Sequence, residues 1–406
     1  MRERKSKKLA FFNDIYFGSQ IFFPVLFTLL AFFLSSCQGK SKRVDIAISV
    51  KTNLEKAYLE KAEEFVLFPL DSLTPTFSWS IQYVPLDNEL YYLNRSRNEL
   101  NVFSLTEGIK TRKIKFQKEG AEGVGKISGF HVYEKDSILI VSNMKNWLHW
   151  VDSESNIIEK VILPKPEDKR ILFPFINTFL PLVSDNSTFY FPFYPEGMWS
   201  QVDDFSEQNV SGIYNFKDDS YSLSGVTYPL DYYEEAKKEP IFSRLKVGEN
   251  TVYSFFGDHH LYVTKDHKTY QKKVEIKSSL MQSFISFKDN MSMSEYLTYI
   301  AETSAYYGIL HDPYRDVIYR FVALGYDLKP QDNVQVINRF PPKLSIQIID
   351  AETFDFLGET QLDYGKHYWA NSFVTTKGLY VSTASPLNEN YSEDVLLFEL
   401  FELDFK

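Results

Sequence analysis

Four short apolar segments follow one another between Gly129 and Leu163: Phe130-His-Val132, Ser137-Ile-Leu-Ile-Val-Ser-Asn143, Trp147-Leu-His-Trp-Val-Asp152 and Ile157-Ile-Glu-Lys-Val-Ile-Leu163. Polar turn residues, such as Glu134-Lys-Asp136 and Ser153-Glu-Ser-Asn156, separate them. Short runs rich in β-branched and aromatic residues between turn signals are typical of β-strands. The stretch therefore predicts one antiparallel unit of four strands.

The second strand of this unit recurs along the chain. Its copies are Glu89-Leu-Tyr-Tyr-Leu-Asn94, Ser137-Ile-Leu-Ile-Val141, Thr188-Phe-Tyr-Phe191, Thr251-Val-Tyr-Ser-Phe255, Val317-Ile-Tyr-Arg-Phe321 and Gly378-Leu-Tyr-Val-Ser382. A repeat of roughly 48 to 66 residues is typical of propeller blades. We therefore predict an all-β fold, a six-bladed β-propeller of four-stranded antiparallel blades. A long β-sandwich is the main alternative.

The last repeat predicts how the ring closes. After Val395-Leu-Leu-Phe-Glu-Leu-Phe-Glu-Leu-Asp404 the sequence supplies no fourth strand. Two β-rich segments precede the first repeat, namely Val44-Asp-Ile-Ala-Ile-Ser-Val50 and Phe65-Val-Leu-Phe-Pro-Leu70. We expect one of them to complete the last blade, so that N-terminal and C-terminal strands pair.

Three insertions interrupt the repeat. The first runs from Tyr194 to Ser211 and contains Met198 and Trp199, and the second, from Gly325 to Pro342, is predicted to be a polar loop. The third, from Ser278 to Ala305, predicts one short helix near 292–305, because Ser292-Met-Ser-Glu295 matches a capping box. Long loops on a rigid scaffold often carry function, and the alternative is that they only cover blade edges.

The N-terminus predicts export and lipidation. Five Lys or Arg residues lie within the first eight positions, an apolar run follows from Ile21 to Leu34, and Leu34-Ser-Ser-Cys37 comes next. This order is typical of a secretory signal peptide, and Leu-Ser-Ser-Cys resembles the lipobox of bacterial lipoproteins. We predict a signal peptide over 1–36, lipidation of Cys37, a tether and candidate first strand over 37–52, and a propeller over 53–406. A transmembrane anchor is the alternative, although the run is shorter than the ~20 residues that span a bilayer.

The predicted cleavage makes the chain more acidic. It leaves 39 basic and 52 acidic residues, a net charge of −13. Such a charge disfavours nucleic acid as a partner, so we expect the lipid to hold the protein at the membrane. Gln38 follows the cysteine, and by the sorting rule of enteric bacteria this resembles an outer-membrane lipoprotein.

No sequence motif identifies a reaction, a cofactor or a metal site. The chain has no nucleophile elbow, P-loop, dinucleotide fingerprint or calcium loop. Asp258-His-His260 with His267 has no zinc-site spacing, and neighbouring residues of a strand point to opposite faces. We therefore predict no cofactor and no metal.

The most unusual stretch is Tyr306-Tyr-Gly-Ile-Leu-His-Asp-Pro-Tyr-Arg-Asp-Val-Ile-Tyr-Arg-Phe321. Asp312-Pro-Tyr-Arg-Asp316 is typical of a turn, and Arg320 lies inside an apolar strand, where it needs a carboxylate, such as that of Asp312 or Asp316, or carbonyl groups as partners. One hypothesis is a ligand-binding cluster at the channel mouth formed by His311, Asp312, Arg315 and Arg320, with Trp199 on an insertion. The alternative is an ion pair that braces the turn.

This stretch, the helix before it and Leu70-Asp-Ser-Leu-Thr-Pro75 resemble a Bacteroides-type lipoprotein family with a TolB-like six-bladed propeller. The most specific part is Tyr-Gly-x-x-x-Asp-Pro-x-Arg followed by Tyr-Arg-Phe. The resemblance implies the fold and the location, and it supplies no catalytic residues.

Two classes of function remain open. The first is a non-enzymatic module that binds an envelope protein, a peptide or a glycan at one face of the ring. The second is a hydrolase or lyase that uses the cluster around His311, Asp312, Arg315 and Arg320. Convergent polar groups with shifted pKa values in a central pocket would favour the enzyme. A channel filled by side chains, with exposed aromatic groups on the insertions, would favour the binding module.

Overall fold

The computed structural model describes residues 47–50, 56–142, 146–164, 172–185, 187–195, 208–234, 236–286, 288 and 290–406. The described strands form six antiparallel sheets. These sheets are the blades of a β-propeller, which confirms the predicted all-β class and six-bladed architecture.

The strands follow the order of the repeats. Two strands precede the first blade, β1 (Ala47–Val50) and β2 (Ala57–Pro69). Blade one contains β3 (Ile81–Val84), β4 (Glu89–Asn94), β5 (Glu99–Ser104) and β6 (Ile109–Lys115). Blade two contains β7 (Ile127–Glu134), β8 (Ser137–Ser142), β9 (Trp147–Val151) and β10 (Ile157–Ile162). Blade three contains β11 (Leu172–Pro174), β12 (Val183–Asp185), β13 (Thr188–Pro195), β14 (Ser211–Asn215) and β15 (Ser220–Leu223).

The second half of the ring repeats this arrangement. Blade four contains β16 (Phe242–Val247), β17 (Asn250–Phe255), β18 (His260–Thr264) and β19 (Lys272–Glu275). Helix α1 (Met293–Glu302) leads into blade five, which contains β20 (Ser304–Asp312), β21 (Val317–Leu324), β22 (Leu344–Asp350) and β23 (Phe356–Gln361). Helix α2 (Val334–Arg339) lies between β21 and β22. Blade six contains β24 (Tyr368–Val374), β25 (Leu379–Ser382) and β26 (Val395–Phe405).

The recurring segment is the second strand of each blade, and its burial explains its composition. In β21 every residue is buried, and in β4, β8 and β17 all but the first are. Each blade packs against a neighbour on both faces, so a continuous apolar run is needed there. The outer strand β10, in contrast, has only one buried residue.

Apolar layers between neighbouring blades form the core. Blades one and two share a layer around Tyr91 and Ile140, and blades four and five share one around Val252 and Ile318. Blades six and one share a layer around Phe398 and Tyr92. The core therefore runs continuously around the ring, and the last blade packs against the first.

Strand β2 closes the ring. It pairs antiparallel with β26 from Ala57↔Phe405 to Pro69↔Val395, which makes β2 the fourth strand of blade six. The predicted pairing of N-terminal and C-terminal strands is confirmed, and Phe65-Val-Leu-Phe lies in the pairing segment. The other candidate contributes β1, which pairs parallel with β19 as a fifth strand of blade four.

The connections divide the ring into two faces. The turn face carries the hairpin turns between first and second strands and between third and fourth strands, such as 313–316 and 351–355. The loop face carries the connections between second and third strands and between blades, including both helices. The second and third predicted insertions contribute to the loop face, whereas most of the first, Tyr194 to Ser211, lies outside the described residues.

Both helices form through their caps. Helix α1 begins with the predicted capping box, in which the Ser292 hydroxyl and the Glu295 carboxylate each accept from the backbone N–H of the other residue. The segment predicted to be a polar loop contains α2, because the Asn333 side chain accepts from Gln335 N and Val336 N and because Ile337 is buried. The prediction of a single helix is therefore corrected to two. The sequence did not indicate α2 because its apolar face is very short.

Candidate functional site

The predicted turn cluster on the turn face is an ion pair that joins two blades. The Asp312 carboxylate is fully buried and lies 3.1 Å from the Arg315 guanidinium. It also accepts from the Tyr319 hydroxyl at 3.0 Å and from the backbone N–H of Tyr314 and Arg315. Arg315 further donates to the carbonyl oxygens of Thr375 and Thr376 in blade six. Asp312 and Arg315 therefore brace the turn, as the structural alternative proposed.

Arg320 lies elsewhere and has no carboxylate partner among the described residues. Its side chain is fully buried, and all five N–H groups have neutral acceptors. The acceptors are Ser254 Oγ at 2.8 Å and the carbonyl oxygens of Asp258, His259, His260 and Ile276 at 2.7 to 3.4 Å. The guanidinium carbon lies 3.3 Å from the Tyr306 ring centroid. Burial lowers the Arg320 pKa to about 10, so the group stays charged at neutral pH.

Strand alternation separates these two arginines. Tyr319, which contacts Asp312, packs in the layer towards blade six, whereas Ile318 packs in the layer towards blade four. Because side chains alternate along a strand, Arg320 lies on the blade-four side. Of the two kinds of partner expected for Arg320, the structure shows carbonyl groups and not the carboxylate of Asp312 or Asp316.

The other predicted ligand-binding residues do not complete a cluster with Arg320. His311 is half-buried, burial lowers its pKa, and its Nε2 has no hydrogen-bond partner among the described residues. Trp199 and Met198 lie outside the described residues, as does Cys37. Ligand binding by His311, Asp312, Arg315, Arg320 and Trp199 stays a prediction, but Asp312 and Arg315 face blade six whereas Arg320 faces blade four.

A second buried arginine, Arg244, was not predicted from the sequence. It belongs to β16 and donates to Pro181 O, to Tyr190 O and to Ser211 Oγ, which joins blade four to blade three. Its position in Phe242-Ser-Arg-Leu-Lys-Val, between buried residues, is the signal that could have identified it. Arg244 and Arg320 thus use the same device, a buried guanidinium that binds carbonyl groups of the preceding blade.

The histidine-rich stretch is divided between two interfaces. His259 Nδ1 lies 2.8 Å from the Tyr306 hydroxyl of blade five, whereas His260 Nδ1 lies 2.6 Å from Asp258 Oδ1. His267 stacks on Tyr190 of blade three with ring centroids 3.8 Å apart. Within the described part of the chain, no three His, Cys, Asp or Glu side chains are grouped to hold a metal ion.

A turn of residues 177–180, which we call the plug, fills the centre of the ring. Thr178 Oγ1 accepts from Ile81 N of blade one at 3.0 Å, and Phe179 O accepts from Arg244 N of blade four at 2.9 Å. The Phe179 ring packs on Phe321 of blade five and Trp369 of blade six, with centroids 5.5 and 5.0 Å apart. Apolar side chains therefore occupy the central channel. A polar pocket at this position would have favoured an enzyme.

Gly308 allows the plug to enter. A Cβ atom at this position would lie 2.3 Å from the Phe179 ring, closer than real contacts permit. Gly308 belongs to the Tyr-Gly-x-x-x-Asp-Pro-x-Arg motif, so its close approach to Phe179 explains why that motif needs a glycine. The plug was not predicted, because nothing in Asn177-Thr-Phe-Leu180 shows that it reaches other blades.

Aromatic side chains surround the plug on the loop face, and we call Phe77, Tyr307 and Trp369 the aromatic mouth. All three are half-buried. The Tyr307 and Trp369 ring centroids are 4.9 Å apart, and the Arg339 guanidinium lies 4.8 Å from the Phe77 centroid. A small pocket with room for about one water molecule adjoins Tyr307 between α1, α2 and blade five.

The loop face also exposes apolar side chains. Among the described residues, the large exposed apolar side chains in loop-face connections are Leu73, Trp79, Leu230, Leu280, Ile285, Met293, Tyr364 and Leu387. Those in turn-face connections are Leu86 and Tyr314. Exposed apolar groups gathered on one face are typical of interaction surfaces. The loop face is therefore the candidate functional site.

Glu239 is the loop-face residue whose acid strength suits general acid–base chemistry near neutral pH. Burial raises its pKa to about 8, against a hydrogen bond from Tyr296 that lowers it. Glu239 is only 1% exposed, and the α1 residues Tyr296 and Tyr299, which interact with it, are buried too. A substrate has no access to this carboxyl group in the described structure.

Comparisons with known proteins agree with this fold. The sequence profile of the family described as Domain of unknown function (DUF4221) matches residues 57–361. The crystal structure of a DUF4221 member from Bacteroides vulgatus is 22% identical, with a TM-score of 0.76, and the match covers 87% of this chain and 99% of that chain. A crystal structure from Bacteroides fragilis, of a protein described as exported, is 11% identical with a TM-score of 0.51 and covers 86% of this chain and 95% of that chain. The search of curated proteins gave no match.

None of the helices in the described residues is long and apolar enough to cross a bilayer.

Proposed function

This chain belongs to the DUF4221 family, and from that premise we propose that it is a lipid-anchored extracytoplasmic protein whose propeller binds a macromolecular ligand at the loop face. The observation that carries the proposal is the plug. Phe179 occupies the ring centre and is only 4% exposed, so the loop face offers an apolar surface with aromatic groups instead of a deep polar site.

The position of the polar groups supports binding over catalysis. The Asp312–Arg315 pair joins blades five and six, and Arg320 joins blades four and five. Glu239, whose pKa is raised to about 8, is covered by α1. General acid–base catalysis requires the acid within hydrogen-bond reach of the substrate, and these groups are occupied or covered. The hydrolase or lyase alternative has no comparable observation in its favour.

The anchor is proposed from the N-terminal sequence. The basic start, the apolar run and Leu34-Ser-Ser-Cys37 are the features of a lipoprotein signal. Each buried CH₂ group of an acyl chain contributes about 0.8 kcal/mol, so two or more chains hold a protein firmly at a bilayer. Gln38 after the cysteine favours the outer membrane over the inner membrane. At the outer membrane, an envelope protein or a glycan is available as a ligand.

Site-specific photo-crosslinking in the native envelope tests the binding face. A photoreactive amino acid replaces Trp79 on the loop face, and the matched control places it at Leu86 on the turn face, which is 92% exposed. We expect a discrete crosslinked product from position 79 and none from position 86. Equal products from both positions, or none from position 79, would contradict the proposal.

Metabolic labelling tests the anchor separately. We expect an alkyne-tagged fatty acid to label the wild-type chain and to be absent from Cys37→Ser. Labelling that persists in Cys37→Ser would show that the lipid is attached elsewhere, whereas an unlabelled wild type would remove the anchor from the proposal.

A further inference from the structure

Strand β1 fixes the N-terminal part of the chain at the outer edge of blade four. It pairs parallel with β19 from Ala47↔Lys272 to Val50↔Glu275. Strand β19 follows the turn-face connection 265–271 and leads into the loop-face connection that begins at residue 276. Because the two strands are parallel, Ala47 lies at the turn-face end of β1 and Val50 at its loop-face end. The chain that precedes β1 therefore leaves the blade on the side of the turn face.

The next attachment of the chain lies at the same face. Lys56 N donates to Leu357 O of blade five at 2.6 Å, and Lys406 N donates to Lys56 O at 2.8 Å. Leu357 and Lys406 both lie at the turn-face ends of their blades, the first after a turn-face connection and the second after the last strand. A Cβ atom at Gly358 would lie 1.9 Å from Ala57 O, so this close approach requires glycine. The chain thus enters the rigid ring at the turn face even without β1.

The proposed lipid is close to both attachments along the chain. Cys37 precedes Ala47 by ten residues and Lys56 by nineteen. We call residues 38–46, which lie outside the described residues, the tether. An extended chain spans at most about 3.3–3.6 Å for each residue, so Cys37 can be at most about 35 Å from Ala47 and about 65 Å from Lys56. The pairing of β1 therefore roughly halves the distance over which the lipid can move away from the turn face.

This short reach favours one orientation of the ring. To bring the loop face to the bilayer, the tether would have to run past the full height of blade four, about 17–20 Å for a strand of ordinary length. It would then use about half of its reach and lose conformational freedom, which costs free energy. With the turn face towards the bilayer, the tether has no such constraint.

Surface charge does not favour the turn face, so the tether alone accounts for the orientation. In the described turn-face connections, exposed acidic side chains such as Asp87, Asp218 and Glu352 outnumber exposed basic ones. A face of this charge is not attracted to anionic lipid. Repulsion between the two is screened over about 10 Å at 0.1 M salt, which is shorter than the reach of the tether. The turn face can therefore lie towards an anionic bilayer without touching it.

We infer that the tether leaves the propeller at the turn face and holds this face towards the membrane, so that the loop face points away from the bilayer and binds a ligand outside the membrane. This inference rests on the proposed lipid anchor and loop-face binding, and it specifies the side from which the ligand approaches. A protein embedded in the same bilayer would meet the turn face, whereas a water-soluble macromolecule reaches Trp79 and Leu230 on the loop face.

Energy transfer from the protein to the bilayer tests the orientation. Cys37 is the only cysteine of the chain and carries the proposed lipid, so Leu86→Cys or Leu230→Cys supplies the only free thiol. Leu86 is 92% exposed on the turn face and Leu230 is 81% exposed on the loop face, so neither change disturbs the core. Each lipidated full chain is labelled with a donor dye and inserted into phosphatidylcholine vesicles that contain an acceptor-labelled lipid.

We expect transfer from position 86 to exceed transfer from position 230 roughly twofold or more, because at least one strand length, about 17–20 Å, separates the two faces. A further variant combines Ile48→Pro with Ser49→Pro, since proline cannot donate to a strand pairing. Alternate residues of a strand point their N–H groups to the neighbouring strand, so one of the two substitutions removes a donor of β1. We expect this variant to keep position 86 nearer but to reduce the difference, because the free chain then extends to Lys56. A difference as large as in the wild type would overturn the role of β1.

Other outcomes would overturn the orientation or the anchor, and they are distinguishable. If the protein sediments with the vesicles but transfer from position 230 equals or exceeds that from position 86, the anchor stands and the orientation is wrong. If transfer is unchanged in Cys37→Ser, a protein surface holds the chain at the membrane, and both the anchor and the inference fail. If neither label shows transfer and the chain does not sediment with the vesicles, both fail as well, whereas crosslinking at position 79 still tests loop-face binding.

Discussion

The interface between blades four and five and the segment 339–343 above blade five use arginine and lysine in opposite ways. At the interface, Arg320 is fully buried and each of its N–H groups has an acceptor. In the segment 339–343, Arg339 and Lys343 lie over the rings of Phe77 and Tyr326, with no carboxylate within salt-bridge distance among the described residues. The first arrangement is complete within the chain, and the second leaves donors that water can solvate.

This difference separates polar groups that specify the fold from those that are available for binding. A buried charge is tolerated only when its hydrogen bonds are satisfied, so Arg320 must be fully engaged before any ligand arrives. An exposed cation has no such requirement, because water solvates it. Residue type alone therefore does not identify a site, and the number of unused donors is the better guide.

Removing the Arg320 side chain should give the largest effect. Arg320→Ala leaves Ser254 Oγ and four buried carbonyl oxygens without their donor, and each buried group left unsatisfied costs about 1–3 kcal/mol. We expect the free energy of unfolding to fall by at least about 4 kcal/mol, measured by urea denaturation. Arg339→Ala is the matched control and should change it by less than about 0.5 kcal/mol. A loss below about 1 kcal/mol for Arg320→Ala would refute the distinction drawn between the two regions.

Removing the plug side chain should give the second largest effect. Phe179 packs on Phe321 and Trp369 at the ring centre, and Phe→Ala in a core costs about 3–5 kcal/mol. We expect Phe179→Ala to lower the free energy of unfolding by that amount in the same denaturation experiment. Phe405→Ala, at a side chain that is 59% exposed, is the control. Stability close to wild type for Phe179→Ala would mean that the ring holds together without the plug.

Glu239 offers a pH-dependent test beneath the loop face. Its pKa is about 8 in the folded protein against an ordinary value of 4.5, so the folded state binds the proton more tightly than the unfolded state. Its contribution to stability is therefore complete below pH 4.5 and is lost as the pH rises through 8. Between pH 5 and pH 8 this loss is on the order of 3 to 4 kcal/mol.

The Glu239→Gln variant isolates this contribution. We expect it to be more stable than wild type at pH 8 and to differ less at pH 5, as measured by urea denaturation at both values. Glu302→Gln, at the end of α1 and half-buried, is the control for a charge change at another carboxylate of the loop face. An equal pH dependence for wild type and Glu239→Gln would show that Glu239 ionises freely in the folded state.

The strands and the ring closure were predictable from the sequence because both depend on local pattern. Val317-Ile-Tyr-Arg-Phe321 recurs in six versions, since most second strands, such as β4, β8, β17 and β21, are buried on both faces. Phe65-Val-Leu-Phe was a candidate for the last blade because the C-terminal repeat lacked a strand. The capping box at Ser292 is equally local.

The contacts between blades were not predictable in the same way. The partners of Arg320 are main-chain carbonyl groups some sixty residues away, and carbonyl groups carry no sequence signal. Phe179 is similar, because one turn residue reaches other blades only through the curvature of the ring.

The smallest expected effect on stability is the one that most sharpens the comparison. The double variant Arg339→Ala and Lys343→Ala removes two cations whose partners within the chain are the faces of Phe77 and Tyr326. Substitutions at exposed positions usually change the free energy of unfolding by less than about 0.5 kcal/mol each, so we expect the urea midpoint of the double variant to change little. A large loss of stability would assign these cations to the fold, as with Arg320.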